Sequence, residues 1–497
     1  MDALAAGFAA AFAPLSIAYV FLGLLIGYIV GVLPGLSRPT ALALAVPLTY
    51  YMTPVAAIGF LIGISKGSAT GGSVSAILLN TPGEPSSAAT CLDGYPLARQ
   101  GRARSAMRVA LYGSVFGDVF ATVILIALAG PLSLIALKMG PVEMTAVLLF
   151  ALTFIAGFSG GSILKGLIAG FLGMFFATTG LDAETGTPRL VFGQVDLLDG
   201  MPLMVLAIGT LALSEMFIQM GTPTAPLTVD AGAAKTRDRL TGAELRGLVP
   251  VALQSSVVGT LLGMIPGLGA SVASFVAYAL AKNRSKTPEK FGHGSLEGVA
   301  AAETADNAVV PAGLIPLFAL GLPGGIAAAL IIGAFTVHGL TPGPLMFATH
   351  PQVIYGIYAA MLIASALMLL IGFFGASAFA GLALIPERII VPVIVFLCLV
   401  GAYLEGSTLF GTYLVIAFAV LGWFMRKLDF SFVAFLIGFV IGPMFELSLR
   451  QALIITDGKP EALLQRPIAV GILILAALSA WRLSVSNRRF RGAPDEN

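Results

Sequence analysis

Apolar runs close to twenty residues long recur from one end of this 497-residue chain to the other. Residues 109–129, 201–220, 357–379 and the run from 468 are each near the length a helix needs to cross the hydrocarbon of a bilayer. There every backbone N–H and C=O must be paired within the protein, so only helices and closed barrels can span, and runs of this length fit helices. Only 10% of residues are charged and mean hydropathy is +0.96, against roughly 25% charged in a soluble domain. An all-α polytopic membrane protein with roughly 10–12 membrane segments is expected. The net charge of +2 gives no reason to expect a nucleic-acid partner. The first residues, MDALAAGFAAAFAPLS, have no Lys or Arg ahead of their apolar stretch and read as mature chain rather than a secretory signal.

One stretch breaks the pattern where a spanning helix should continue. Residues 71–101 read GGSVSAILLNTPGEPSSAATCLDGYPLARQG. Pro82 and Pro85 lack amide protons and clash with the preceding turn, while Gly83 admits backbone angles that other residues avoid. Backbone groups freed at membrane depth are costly unless protein, water or a ligand satisfies them, so such a break is expected to line a cavity. The alternative is a proline-kinked loop at the membrane surface, because residues 94–108 are surface sequence only a few positions later.

The chain also repeats itself. GYIVGVLPGL from Gly27 recurs as GTLLGMIPGL from Gly259, AILLNTPGEPSSAA from Ala76 has a counterpart in LFALGLPGGIAAAL from Leu317, and GFSGGSILKG from Gly157 resembles GAYLEGSTLFG from Gly401. Three matches in one order point to duplication. Basic residues occupy non-equivalent loops of the copies. Arg99, Arg102, Arg104 and Arg108 follow the first break, whereas 338–350 after the second has no Lys or Arg; Lys282, Arg284, Lys286 and Lys290 follow the second Pro-Gly-Leu, and 50–54 after the first is uncharged. Because cytoplasmic loops collect Lys and Arg, the copies are expected to be inverted-topology repeats. The Pro-Gly-Leu segments read as re-entrant hairpins with apolar arms of roughly 15 residues, too short to cross. Further spans are expected near 109–128, 133–157, 162–179, 201–219, 353–378, 383–402, 407–425 and 431–455. The division is a first repeat at 1–220, a cytoplasmic linker at 221–247, a second repeat at 248–456, and an additional C-terminal helix with a basic tail at 457–497.

The candidate site gathers at the breaks. Asn80, Thr81 and the amides near Gly83 offer donors, Lys66 and Ser73 precede them, and the N-terminal end of a resumed helix favours a carboxylate. Asn307, Gly324 and Gly325 are the candidate substrate ligands of the second copy, and Asp306, Asn307 and Asn80 the candidates for a coupling ion. Asp306 and Asn307 equally suit a helix cap at the surface. Lys66 either snorkels to an interface or presents a cation to an anion. Asp118, Glu215, Glu405 and Glu446 lie within or beside apolar runs, as proton or cation sites or as span ends. The hairpin tips Pro34, Gly35, Pro266 and Gly267 either close the site or pack tightly. Cys91 and Cys398 stand in unrelated contexts without metal-ligand spacing, so no metal site, disulfide or cofactor is expected. Gly157-Phe158-Ser159-Gly160 with His338 has the shape of an intramembrane serine protease, yet the matching segment from Gly401 provides no serine nucleophile. No phosphate-cradling loop is present, and no enzymatic activity is expected.

GGSVSAILLNTPGE with DGYPLARQGRA, GMIPGLGASVASFVAYALAK, KTPEKFGHGSLEGVAAAETADNAV, LFALGLPGG and GLTPGPLMF together resemble the TctA family, the large membrane subunit of the tripartite tricarboxylate transporters. The resemblance covers nearly the whole chain. It implies a multi-pass secondary carrier of the bacterial inner membrane that works with a small membrane subunit (TctB-like) and a periplasmic solute-binding protein (TctC-like), importing a small organic carboxylate on a sodium or proton gradient. A passive anion channel is the alternative. Where the family commonly has paired asparagines this chain has Asp306-Asn307, and where it has a Tyr- or Met-containing glycine-rich run this chain has SKGSATGG.

Overall fold

A computed structural model describes all residues except 1, 34, 159–161, 222–237, 383, 384, 386, 407, 460–464 and 492–497. Among the described residues eight helices are long and apolar enough to cross a bilayer, with shorter apolar helices between them. The chain is an all-α polytopic membrane protein.

It begins with α1 (Asp2–Phe12) and α2 (Pro14–Val32), turns at Gly35 into α3 (Arg38–Ala45), and continues as α4 (Pro54–Leu79) and α5 (Ala88–Arg99). Next come α6 (Ala103–Ala136), α7 (Pro141–Phe158), α8 (Ile163–Ala177), and a helix that passes from α9 (Leu203–Ala207) through a π-helical stretch into α10 (Ser214–Gly221). The order then recurs. A Pro-Gly-Leu turn joins α11 (Gly242–Gly263) to α12 (Gly269–Arg284), and α13 (Leu296–Ala312) with α14 (Ile315–Leu320) leads to a break before α15 (Ile326–Val337). The one-turn α16 (Met346–Thr349) precedes α17 (Pro351–Ala380), α18 (Glu387–Gly406), α19 (Leu409–Lys427) and α20 (Phe432–Ile455). α1 and α21 (Pro467–Arg491) stand outside the correspondence.

Proline at the first turn, where an amide has no helical partner, opens α2, α4 and α7. Side-chain caps open others: Ser37 for α3, a Thr241–Glu244 capping box for α11, and Ser295 for α13. Two expectations need correction. The hairpin arms are unequal, since α2 has 19 residues and is long enough to cross, while α3 has 8 before a 3-10 stretch at Val46–Tyr51. The run read as spans at 109–128 and 133–157 is divided elsewhere. Pro131 is absorbed within the 34-residue α6, as membrane helices allow, and the turn falls at Gly140, whose amide donates to Glu143 (2.9 Å) before Pro141 opens α7.

The helices form two compact units, each drawing on both copies. One comprises Met1–Ser133 and Glu215–Cys398, the other Leu134–Ser214 and Leu399–Asn497. In the first, α2 packs on α4 as α11 packs on α13: Gly27 abuts the Ile64 carbonyl, and Gly259 abuts that of Ala305. In the second the copies exchange partners, so that Gly209 of the first lies against Val415 on α19 while Gly438 of the second lies against Gly170 on α8. The second unit also holds the antiparallel pair β1 (Gly180–Leu181) and β2 (Pro188–Arg189), in a loop where Arg450 bridges Asp182 (2.7 Å) and Glu446 (2.6 Å). The Arg450 guanidinium, with the amides of Thr185 and Glu184, holds the Asp182 carboxyl well below the usual carboxylate range.

Candidate functional site: a buried charge network at two re-entrant breaks

The site lies within the first unit and is built around α4, which is buried from Val55 to Leu78. The helix ends at Asn80, whose left-handed conformation (φ 53, ψ 26) lets the chain reverse. Residues 81–87 run back along α4: a side chain at Gly72 would press on the Glu84 amide (3.2 Å) and the Ser87 hydroxyl (2.6 Å). From Asn80 to Gly72 is about 12 Å of helix axis. α5 then sets off in the direction of α4 again, with Gly94 against Ile77. The break is therefore a dip into the protein rather than a surface kink. The second copy makes the same dip, with Gly321 (φ 76) in place of Asn80 and the Gly324 amide donating to the Gly313 carbonyl (3.2 Å), just as Gly83 lies against Gly72.

At the bottom of the first dip Glu84 meets Arg38 from the start of α3, with Nη2 donating to Oε2 at 2.7 Å. Ser68 on α4 also donates to Glu84. The same guanidinium reaches Asp306 on α13 (3.4 Å), and Ser86 donates to the other Asp306 oxygen (3.0 Å). Arg38, Glu84 and Asp306 are 7%, 5% and 1% exposed, so the cluster is closed to solvent. Burial of single charges on this scale is tolerated only when they are paired and hydrogen-bonded.

One turn away Glu303 accepts from Thr90 on α5 (2.5 Å) and Ser114 on α6 (3.2 Å). Asn307 donates to Ser114 (2.8 Å) and accepts from Thr70 on α4 (3.2 Å). A second ion pair lies at the meeting of α4, α6 and α17. There the Lys66 ammonium donates to Asp118 (2.8 Å), the Met361 carbonyl (2.7 Å) and the Ser365 hydroxyl (3.0 Å).

The structure sorts the residues expected from sequence. Asp306, Asn307, Gly83 and Lys66 all belong to this buried region. Lys66 does not snorkel, since it is fully buried. Ser73 spends its hydroxyl on the Thr70 carbonyl (2.7 Å), and half-buried Thr81 lies 3.3 Å from the Leu79 carbonyl. Asn80 is exposed at the mouth of the dip, away from Glu84. Gly324 is buried, whereas a side chain at Gly325 would meet open space. Gly35 (φ 84) and Gly267 (φ 89) turn both hairpins, Gly35 accepting from Gln219 (2.7 Å), and Pro266 is half-buried. Pro34 lies outside the described residues, as do Ser159 and Gly160 of the protease-like motif. Among the described residues no cluster of His, Cys, Asp and Glu suits a metal ion. Sequence reasoning missed Arg38 and Glu84 as a site pair, although Arg38 is the only charged residue between 15 and 51.

Paired interrupted helices around buried opposite charges define a polytopic protein of the kind that carries solutes across membranes. Residues 17–437 match the tripartite tricarboxylate transporter TctA family, and the chain belongs to that family. It is 36% identical over 471 residues to an uncharacterized 52.8 kDa protein of the TAR-I ttuC' 3' region of Agrobacterium vitis, covering 95% of this chain and 93% of that one. An uncharacterized protein of the TAR-II ttuC' 3' region of the same organism is 38% identical over 234 residues, which is 46% of this chain and 97% of that protein. No solved structure matches the chain.

Proposed function

We propose that the chain is the large membrane subunit of a tripartite secondary carrier that imports a small organic di- or tricarboxylate across the bacterial inner membrane, coupled to sodium ions or protons. One observation carries the coupling. The buried network holds four acids, Glu84, Asp118, Glu303 and Asp306, and two bases, Arg38 and Lys66. Unmatched carboxylates in hydrocarbon are costly, so the resting site requires added positive charge, which protons or metal cations supply. The dips provide the substrate site: the amides of Gly83, Glu84 and Ser86, and those of Gly325 and Ile326, precede resuming helices whose positive ends suit a carboxylate. The Arg99–Arg108 and Lys282–Lys290 segments face the cytoplasm in this reading, which makes the copies inverted.

A small second membrane subunit and a periplasmic solute-binding protein complete the carrier, as the family's tripartite description supports. Accumulation of radiolabelled citrate, tartrate or succinate in proteoliposomes holding this chain, its small membrane partner and the binding protein tests the reading. Uptake against a gradient, lost when both the sodium and the proton gradients are collapsed, is expected. Flux that runs only downhill and ignores both gradients would make the protein a passive anion channel. Strong high-affinity uptake by this chain alone would remove the partners.

A further inference from the structure

We propose that the Lys66 ammonium is a tethered cation occupying a monovalent-cation site made by Asp118, the Met361 carbonyl and Ser365. Its surroundings are those of a bound ion. The nitrogen is fully buried and meets a carboxylate, a main-chain carbonyl and a hydroxyl at 2.7–3.0 Å, one oxygen for each ammonium proton. The oxygens come from two helices, Asp118 from α6 and the other two from α17, while α4 delivers the charge. Ser365 also donates to Asp118 (2.5 Å), which fixes the carboxylate without neutralising it. The second Asp118 oxygen is buried with no hydrogen-bond partner, leaving a further ligand atom for an ion.

The repeat shows that the backbone does not demand a charge here. The pairings of Gly72 with Gly83 and of Gly313 with Gly324 align Lys66 with Asn307, a neutral amide that makes its own bond to Ser114 on α6. One copy thus closes the contact with an amide and the other with a cation. The carbonyl and hydroxyl take the two ammonium protons that Asp118 leaves, and the three oxygens together form a cage of the kind that strips water from alkali ions. The inference rests on the carrier reading for its consequence in transport, namely that the nitrogen filling this site is fixed to α4 and cannot leave it during the cycle.

The test uses purified full-length Lys66→Ala, with melting temperature measured in potassium, sodium, ammonium or choline chloride at equal ionic strength. At least one small cation should raise the midpoint by several degrees over choline, beyond any shift in the unsubstituted chain, and Lys66→Ala with Asp118→Asn should abolish that excess. Absence of the excess in folded Lys66→Ala, or its survival in the double variant, overturns the proposal. If Lys66→Ala does not fold in choline, recovery of monodisperse protein on solubilisation in one of the three small cations supports it. No recovery in any of them overturns it, whether or not the double variant folds. Binding is read without substrate or partners, so a chain that carries no carboxylate leaves this result standing, and failure here leaves carboxylate uptake untouched.

Discussion

The two dips share a backbone and differ in what they hold. Both begin with a left-handed residue, Asn80 or Gly321, and both press one glycine against another, Gly83 on Gly72 and Gly324 on Gly313. The first then presents Glu84, bound by Arg38, where the second presents Gly325 with open space beside it. The two dips keep one main-chain geometry and differ in side chains: an ion pair plugs the first, which thus carries buried charge where the second has open space beside Gly325.

Removing the plug is the harshest way to break this comparison. Glu84→Ala leaves buried Arg38 with only the longer 3.4 Å contact to Asp306, a loss of up to roughly 3–5 kcal/mol that should sharply lower the yield of folded protein on size-exclusion chromatography. Arg38→Met with Glu84→Met and Asp306→Asn removes the three charges together and should restore much of the yield. Next in size is a glycine series. A methyl at Gly83 collides with the Gly31 carbonyl and one at Gly324 stands 2.6 Å from that of Gly313, whereas one at Gly325 meets nothing. Alanine should lower the melting temperature most at 83, less at 324 and hardly at 325, with overpacking costs of roughly 1–3 kcal/mol at the first two. Equal tolerance at 83 and 325 would dissolve the distinction between plugged and vacant.

A smaller effect concerns the mouth. If Asn80 contacts the substrate carboxylate, Asn80→Ala and Asn80→Gly should both weaken apparent affinity about ten- to a hundredfold, the loss of a charge-assisted bond. Glycine keeps the left-handed turn, so an Asn80→Gly carrier with unchanged affinity would reduce Asn80 to a backbone role. The gentlest test concerns orientation and costs no stability: Arg102→Cys should react with an impermeant maleimide only from the cytoplasm and Thr341→Cys only from the periplasm. Labelling of both from one side would end the inverted arrangement.

Both breaks were legible in the sequence because proline and glycine act locally: Pro82-Gly83 and Pro323-Gly324 interrupt a helix whatever surrounds them. The direction taken after each break was not, since a reversal along α4 depends on a left-handed Asn80 and on glycines at 72 and 31 that accept a second backbone. Arg38 looked like an isolated charge on a hairpin. Its meaning comes from Glu84, 46 residues later, and Asp306, 268 residues later. Lys66 was legible as an anomaly but not as a buried one, because burial requires Asp118 on α6 and Ser365 on α17 to converge on it. The hairpin arms were misjudged for a similar reason: hydropathy reports how long an apolar run is, not where Pro39 and Pro47 divide it into a short helix and a tighter turn.

These separations also set an order of events while the chain is being made. Arg38–Glu84 and Lys66–Asp118 close within 46 and 52 residues, so the early part of the chain enters the bilayer with its charges already matched. Glu303 and Asp306 arrive later and bring no base of their own; Thr90, Ser86 and Arg38 are waiting for them. Asp93, whose carboxylate receives the amides of Gly292, Gly294 and Ser295, has to wait for about 200 further residues. At ribosomal speeds of about 5–20 residues per second that delay is on the order of 10–40 s. The nascent first copy must persist for that time as a half-finished receptor for the second, with Asp93 still waiting for its amides.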